Sequence, residues 1–175
     1  MPLRKEHFAV FGATFILGLA YVRFSSGRAS YRPVQQPFAF NHYVHTHNPD
    51  KPVECSGCHR GVETSYHATL PGIEVCSSCH LEPKGDTEKE KQFIAEYVDN
   101  EKPLPWQRLF VLPDHAFFSH RLHVVRGAIE CQTCHGPMDM RTSPPPRPLR
   151  VLTMNTCIDC HEERQVSSDC NTCHR

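Results

Sequence analysis

Cys55-Ser56-Gly57-Cys58-His59 is the first of five copies of the pattern Cys-x-x-Cys-His in this chain of 175 residues. The five copies span Cys55–His59, Cys76–His80, Cys131–His135, Cys157–His161 and Cys170–His174, and are called here the first to fifth motifs. Together they use all ten cysteines, so no thiol is left for another purpose. The chemistry of this pattern therefore decides what the chain can be.

Cys-x-x-Cys-His is the pattern to which c-type haem is attached. Two thiols on one turn can each form a thioether to the haem, and the following histidine is held under the iron as an axial ligand. The predicted thioether residues are Cys55, Cys58, Cys76, Cys79, Cys131, Cys134, Cys157, Cys160, Cys170 and Cys173. The predicted proximal ligands are His59, His80, His135, His161 and His174. The sequence thus predicts five covalently bound haem c groups and a function in electron transfer.

Zinc sites and disulfides are the alternatives for Cys-x-x-Cys pairs. A structural zinc needs four ligands, usually from two such pairs, and five motifs cannot be paired off. A thioredoxin-type dithiol would occur once within a βαβ pattern, which is not visible here. Neither alternative demands the histidine that follows every motif.

The composition predicts a fold in which haem replaces much of the ordinary core. Beyond the first 24 residues the chain is poor in large aliphatic residues, and it contains fifteen prolines. Residues 144–148, Pro-Pro-Pro-Arg-Pro, must be extended rather than helical. We expect a multihaem cytochrome c fold, mostly irregular, with short α-helices wrapped around five haems. The formal net charge is zero and no basic patch suggests nucleic acid as a partner.

The N-terminus predicts a membrane anchor. Residues 8–22 are uncharged and mostly apolar, and no Ala-x-Ala cleavage pattern follows them. We therefore expect one N-terminal transmembrane helix within residues 1–24, with a cleaved signal peptide as the alternative. Since haem is attached outside the cytoplasm, this predicts a single-pass protein of the bacterial inner membrane with its haem domain on the periplasmic face.

A repeat divides the rest of the chain. Residues 40–45 and residues 118–123 both read Phe-x-His-x-x-His, and each copy precedes an apolar residue, Glu and a haem motif. We predict a linker at 25–39, a first haem module at 40–82 with two haems and a second at 115–175 with three. Between them, at 83–114, Thr87 and Glu90 give the capping signature of a helix that an extended segment follows.

Five haems require five further ligands if every iron is six-coordinate. The two histidines of each repeat lie at i and i+3, on one face of a helical turn, so they can reach two different irons. The predicted distal ligands are His42, His45, His67, His120 and His123. His47 and His115 are then spare, and Met154, Met138 and Met140 are rival ligands.

The repeat resembles elements of the class III and trihaem cytochrome c families. The stretch 105–124, with the segments Cys134-His135-Gly136 and 152–161, is similar to the pentahaem, membrane-anchored cytochrome subunit of alternative complex III. This resemblance covers residues 40–175 and the N-terminal anchor.

The resemblance implies a subunit of a membrane quinol-oxidising complex of respiration or photosynthesis. Its expected partners are an iron–sulfur, molybdopterin-oxidoreductase-like subunit, polytopic quinol-binding subunits and a monohaem cytochrome c. Electrons would pass from the iron–sulfur subunit to a periplasmic cytochrome or an oxidase, so the chain is not expected to be an enzyme by itself. The alternatives are a free-standing quinol dehydrogenase or shuttle cytochrome, and a multihaem reductase, which would need an open iron position.

Overall fold

The computed structural model describes Thr14, residues 16–18 and residues 32–174 of the chain. The chain divides into two compact units, Met1–Tyr31 and Arg32–Arg175. In the first unit, Thr14 and residues 16–18 are helical and exposed. The second unit contains all five motifs and is the part considered below.

The structure corrects the prediction of an N-terminal transmembrane helix. Within the described residues, no helix has both the length and the apolar character that crossing a bilayer requires. The apolar run 8–22 is itself shorter than the roughly 17–25 residues of a usual span, and most of it lies outside the described residues. The predicted single-pass location, with a haem domain on the periplasmic face of an inner membrane, depended on that helix and is corrected with it.

Short helices separated by irregular chain form the unit Arg32–Arg175. The α-helices are α1 (His42–Thr46), α2 (Cys55–Cys58), α3 (Ile73–Ser77), α4 (Glu88–Phe93), α5 (Cys131–His135), α6 (Met154–Glu163) and α7 (Cys170–Cys173). Two π-helical turns, Ile94–Val98 and Leu122–Arg126, complete the helical content of these residues. Residues 32–174 contain no β-strand, and only Ala116 and His174 form an isolated antiparallel bridge.

The protein core of this unit is small. Its buried hydrophobic side chains are Val62, Ile94, Tyr97 and Val98. Around them Phe38 packs its ring on three others, with ring centres 4.7 Å from Phe93, 5.7 Å from Tyr97 and 4.5 Å from Trp106. This aromatic cluster fixes α4 and its π-helical continuation against the chain that precedes the first motif.

The residues before the first motif and those of the second module are joined directly by backbone hydrogen bonds. Tyr43 donates its N–H to the carbonyl oxygen of Arg141 at 3.0 Å, and Val34 donates to Pro146 at 2.8 Å. His120 in turn donates its N–H to the carbonyl oxygen of Tyr66 at 3.0 Å. The two repeats are therefore parts of one packed unit.

Gly136 explains how the chain leaves α5. Its φ of 70° lies in the left-handed region, where a side chain is unfavourable. A Cβ at this position would also lie 3.0 Å from the Cβ of Leu149. Glycine therefore permits the sharp turn that directly follows the third motif.

Candidate functional site

Each motif lies on a single helical turn, as its spacing requires. The N–H of His59 donates to the carbonyl oxygen of Cys55 at 2.8 Å, and His80 and His174 make the equivalent bonds to Cys76 and Cys170 at 2.9 and 2.8 Å. None of the ten cysteines, all of which lie in the described residues, forms a disulfide, and each is half-buried or exposed. The turn thus presents two thiols and one imidazole together, which is the set that haem c needs.

Burial is the main cause of a raised pKa at five of the motif thiols. The pKa of Cys55 and of Cys76 is raised to about 11, and that of Cys58, Cys134 and Cys157 is also raised. A thiol of an adjoining motif adds to the rise in each case. The thiol pKa values raised in this way include that of Cys55 by Cys131, that of Cys58 by Cys79, that of Cys134 by Cys160 and that of Cys157 by Cys173.

These thiol neighbours give the spatial order of the motifs. The second motif adjoins the first, the first adjoins the third, the third adjoins the fourth and the fourth adjoins the fifth. His59 of the first motif also lowers the pKa of His135 of the third, after the larger effects of burial and of His120. We call this order, second–first–third–fourth–fifth, the motif row.

Most of the motif and repeat histidines use Nδ1 in a hydrogen bond to the protein, which leaves Nε2 for another partner. Seven of them place Nδ1 within 3.3 Å of a carbonyl or carboxylate oxygen. One of the seven, His120, has both the Tyr66 carbonyl oxygen and the Ala68 N–H 3.1 Å from its Nδ1. In the other six, this oxygen can only accept, so Nδ1 carries the proton and Nε2 keeps its lone pair; the six are His45, His59, His80, His123, His161 and His174. This is the usual orientation of a metal-binding imidazole.

Four proximal histidines have a second imidazole opposite them at nearly the same separation. The ring centres lie 6.0 Å apart for His45 and His80, 6.3 Å for His120 and His135, 6.0 Å for His123 and His161, and 5.4 Å for His115 and His174. Atoms in direct contact are about 3.5–4 Å apart, so most of these pairs leave a gap between the rings.

The gaps fit one iron each. Two imidazoles on opposite sides of a metal have ring centres about 6 Å apart, because each metal–nitrogen bond is about 2 Å long. By contrast, the four ligands of a structural zinc are not assembled, since no three His, Cys, Asp or Glu side chains come together as a metal site within the described ranges. The residues present therefore fit haem with two axial imidazoles.

The proximal histidine of the first motif, His59, has His42 as its neighbour. Burial, and after it the charges of His59 and His45, lower the pKa of His42 to about 4. The Nδ1 atom of His42 is buried without a hydrogen-bond partner. A buried polar atom without a partner costs free energy, and only a bond made by Nδ1 itself would satisfy it.

The two Phe-x-His-x-x-His repeats have the same local geometry. The first phenylalanine stacks on the second histidine of its repeat, with ring centres 4.6 Å apart for Phe40 and His45 and 4.3 Å for Phe118 and His123. It meets the first histidine edge-on, at 4.8 Å in one repeat and 4.9 Å in the other. The two histidines of each repeat therefore lie near the proximal histidines of two adjoining motifs.

His115 was predicted to be a spare histidine, but the structure brings it opposite a proximal histidine. Its ring faces His174, and its carbonyl oxygen accepts from Nδ1 of the same histidine at 3.3 Å. No ring contact joins His67 to a proximal histidine in residues 32–174; instead, the peptide after it donates the Ala68 N–H to His120 Nδ1 at 3.1 Å. The signal that could have found His115 is its position just before the second repeat.

The other candidate ligands have different surroundings. His47 stacks on Tyr43 with ring centres 4.5 Å apart, and its Nδ1 lies 2.9 Å from Thr46 Oγ1. Met154 begins α6 and is 62% exposed, and Met140 is 54% exposed. None of these side chains is held toward a proximal histidine by the contacts that the structure gives them.

His80 differs from the other proximal histidines in its partner. Its Nδ1 donates to the carboxylate of Glu90 at 2.8 Å, whereas His59, His161 and His174 donate to backbone carbonyl oxygens. Burial alone would raise the pKa of Glu90, but the amide N–H groups of Lys84 and Gly85 together with His80 lower it overall. Glu90 was predicted only as part of a helix cap.

Comparison with known proteins supports this chemistry for the C-terminal part of the chain. Residues 116–175 match the family described as cytochrome c7 and related cytochrome c. Curated proteins gave no match. The matched region contains the second repeat and the third, fourth and fifth motifs.

The match and the motif geometry agree on the general class. The similarity of residues 116–175 to this family supports a multihaem c-type cytochrome with covalently bound haem c and a function in electron transfer. Haem c is a one-electron carrier, and its axial ligands and their hydrogen bonds set its potential.

Proposed function

We propose that the chain carries five haem c groups, one at each motif, and relays electrons along the motif row. The observation that carries the proposal is that thiols of adjoining motifs lie near enough to raise one another's pKa, which places all five attachment points in one unbranched series. A series has two ends, here the second and the fifth motifs. Two ends suit a protein that accepts electrons from one partner and delivers them to another.

In this proposal the protein side chains hold and separate the haems. The motif cysteines would attach each haem, and the motif histidines would bind the iron. The second iron ligands would be His42 beside His59, His45 beside His80, His120 beside His135, His123 beside His161 and His115 beside His174. The ring separations support the last four pairs, and the nearness of His59, whose charge lowers the pKa of the buried His42, supports the first.

We further propose that the relay works within a quinol-oxidising complex. The resemblance of residues 40–175 to the pentahaem subunit of alternative complex III supports this setting. The donor is then an iron–sulfur subunit of the molybdopterin-oxidoreductase type next to polytopic quinol-binding subunits, and the acceptor is a monohaem cytochrome c. A shuttle cytochrome that meets its partners only transiently is the competing arrangement.

Native purification with a tag on this chain distinguishes the two arrangements. We expect the iron–sulfur, quinol-binding and monohaem subunits to copurify, and the haem of this preparation to be reduced on addition of a quinol analogue. The chain purified alone at native abundance, reducible only by added soluble donors, would overturn the proposed setting. That result would not contradict the proposed relay of electrons along the motif row.

Carbon monoxide distinguishes a relay from a reductase. A reductase needs an open iron position for its substrate, whereas paired imidazoles close both sides of the iron. We therefore expect the absorption spectrum of the fully reduced protein to stay unchanged under carbon monoxide. A shift in the spectrum of one haem in five would favour a catalytic site at that motif.

A further inference from the structure

Glu90 is the carboxylate that contacts a proximal histidine at an end of the motif row. It belongs to α4, outside every motif, and its Oε1 lies 2.8 Å from Nδ1 of His80. The side chains of His80 and Glu90 are only 21% and 16% exposed. The contact is thus partly shielded from water, where a charge acts more strongly on its neighbour than at an open surface.

The surrounding backbone fixes the carboxylate as an anion acceptor. Lys84 donates its N–H to Oε1 at 2.8 Å, and Gly85 donates its N–H to Oε2 at 3.0 Å. All three partners of the carboxylate are donors, which suits an acceptor-only, ionised group. The short loop between His80 and α4 therefore holds Glu90 in one place against the imidazole.

Packing of α4 keeps this arrangement in position. Phe93, three residues after Glu90, joins the aromatic cluster with Phe38. The π-helical turn that follows buries Ile94, Tyr97 and Val98 and packs on α3, the helix that carries Cys76. The connecting segment thus contributes a rigid, charged group to the second motif.

A carboxylate acts on an iron ligand differently from a carbonyl group. It draws the Nδ1 proton, gives the imidazole more anionic character and makes it a stronger donor to the metal. A stronger donor and a nearby negative charge both favour the ferric ion over the ferrous ion, which lowers the reduction potential. His59, His161 and His174 receive no such effect, because backbone carbonyl oxygens accept from them.

We propose that Glu90 is a positioning residue that lowers the potential at the second motif and makes that end of the motif row the donor side. The inference depends on the proposed relay, because it needs haem at Cys76 and Cys79 with His80 under the iron. Electrons move spontaneously from low to high potential, so a low-potential site at one end of a series passes the electrons it receives on to the others and is itself fully reduced only at the lowest ambient potential.

Glu90→Gln tests the inference, with Glu88→Gln as its matched control. Glutamine has nearly the size of glutamate and keeps one carbonyl acceptor for His80, but it removes the charge. Glu88 lies on the same helix, is 75% exposed and pairs only with Lys91 among the described residues. Each purified protein is titrated with a reductant at controlled potential while haem absorbance is followed, and its haem content is measured by mass spectrometry.

We expect Glu90→Gln to raise the reduction potential of one haem. The equilibrium constant for its reduction should increase at least tenfold, which corresponds to about 59 mV for one electron. The component that moves should be the lowest of the wild-type protein, and Glu88→Gln should match the wild type. Unchanged potentials, an equal shift of every haem, or a shift of a component other than the lowest would each overturn the inference. A wild-type protein with fewer than five haems would instead count against the proposed relay.

The wild-type protein offers a second test if Glu90→Gln does not fold. A strongly donating, anionic imidazole changes the electronic structure of ferric iron, so one of the low-spin signals in the electron paramagnetic resonance spectrum should have a narrower spread of g values than the others. That signal should be the last to disappear during reduction. Five signals without such a component would overturn the inference.

Discussion

The ring of His115 lies 5.4 Å from the ring of His174, and the two planes are inclined by 25°. The chain brings them together over 59 positions of sequence, through the bridge between Ala116 and His174 and the bond from the Phe117 N–H to the Cys173 carbonyl oxygen. The C-terminal motif is thereby held against the segment that precedes the second repeat.

This pairing predicts which histidine completes the fifth iron. In His115→Ala we expect one haem to lose its distal ligand, become high-spin and bind carbon monoxide, because bound imidazoles otherwise close both faces. The measurement is the fraction of reduced haem whose spectrum responds to carbon monoxide, about one-fifth of the total if five haems are bound.

His67→Ala is the control for this prediction, since sequence reasoning favours His67 as the fifth distal ligand. We expect its spectrum to remain entirely low-spin and insensitive to carbon monoxide. A response in His67→Ala, together with none in His115→Ala, would assign the ligand to His67 and contradict the geometry.

The capping of α6 gives a prediction about stability. Thr153 Oγ1 accepts from the Thr156 N–H at 3.3 Å, and the Thr153 N–H donates to Thr156 Oγ1 at 2.7 Å. Thr153→Ala removes the cap and should cost about 1 kcal/mol, which lowers the Tm by about 2–4 °C in a protein of this size. Differential scanning calorimetry measures the change.

Thr153→Ser provides the control because it keeps the hydroxyl group that accepts the bond. Its Tm should lie close to that of the wild type. An equal loss in both variants would show that packing of the threonine methyl group, rather than the cap, stabilises the helix that carries the fourth motif.

The aromatic cluster predicts that Phe38 stabilises the connecting segment. Phe38→Ala removes three ring contacts, and because Phe38 is only half-buried we expect a cost of about 2 kcal/mol, below the value of about 3–5 kcal/mol for a full core position. Leu81→Ala is the control, since Leu81 is 73% exposed and should change the stability little. Urea unfolding followed by near-ultraviolet circular dichroism compares the two variants; equal losses would contradict a special role for the cluster.

The local parts of this site could be predicted from the sequence. Motif spacing determines that two thiols and an imidazole share one turn, and the i, i+3 spacing of His42 and His45 puts both on one side of α1. Such features depend on a few neighbouring residues. The ring geometry of the two repeats is equal for the same reason, since each repeat carries its own phenylalanine.

The long-range parts could not be predicted in this way. His115 meets His174 only because distant backbone segments pair, and no periodicity in the sequence reports that contact. Glu90 illustrates a different difficulty: its N–H is capped by Thr87 Oγ1 at 3.3 Å, as the Thr-x-x-Glu pattern suggests, but its carboxylate turns to His80 instead of completing the cap. The competing donors lie in a loop whose path the sequence does not specify.

The motif row predicts that removing one inner haem separates the series into two pairs. In a variant with Cys131→Ala and Cys134→Ala, the second and first motifs should lose contact with the fourth and fifth, because the third lies between them. Mixing the reduced variant with an oxidised monohaem cytochrome c in a stopped-flow instrument should then reoxidise two haems rapidly and two at least tenfold more slowly. The control variant, Cys170→Ala with Cys173→Ala, also loses one haem but keeps the other four adjoining, so they should reoxidise together. Identical kinetics in the two variants would contradict the order of the row.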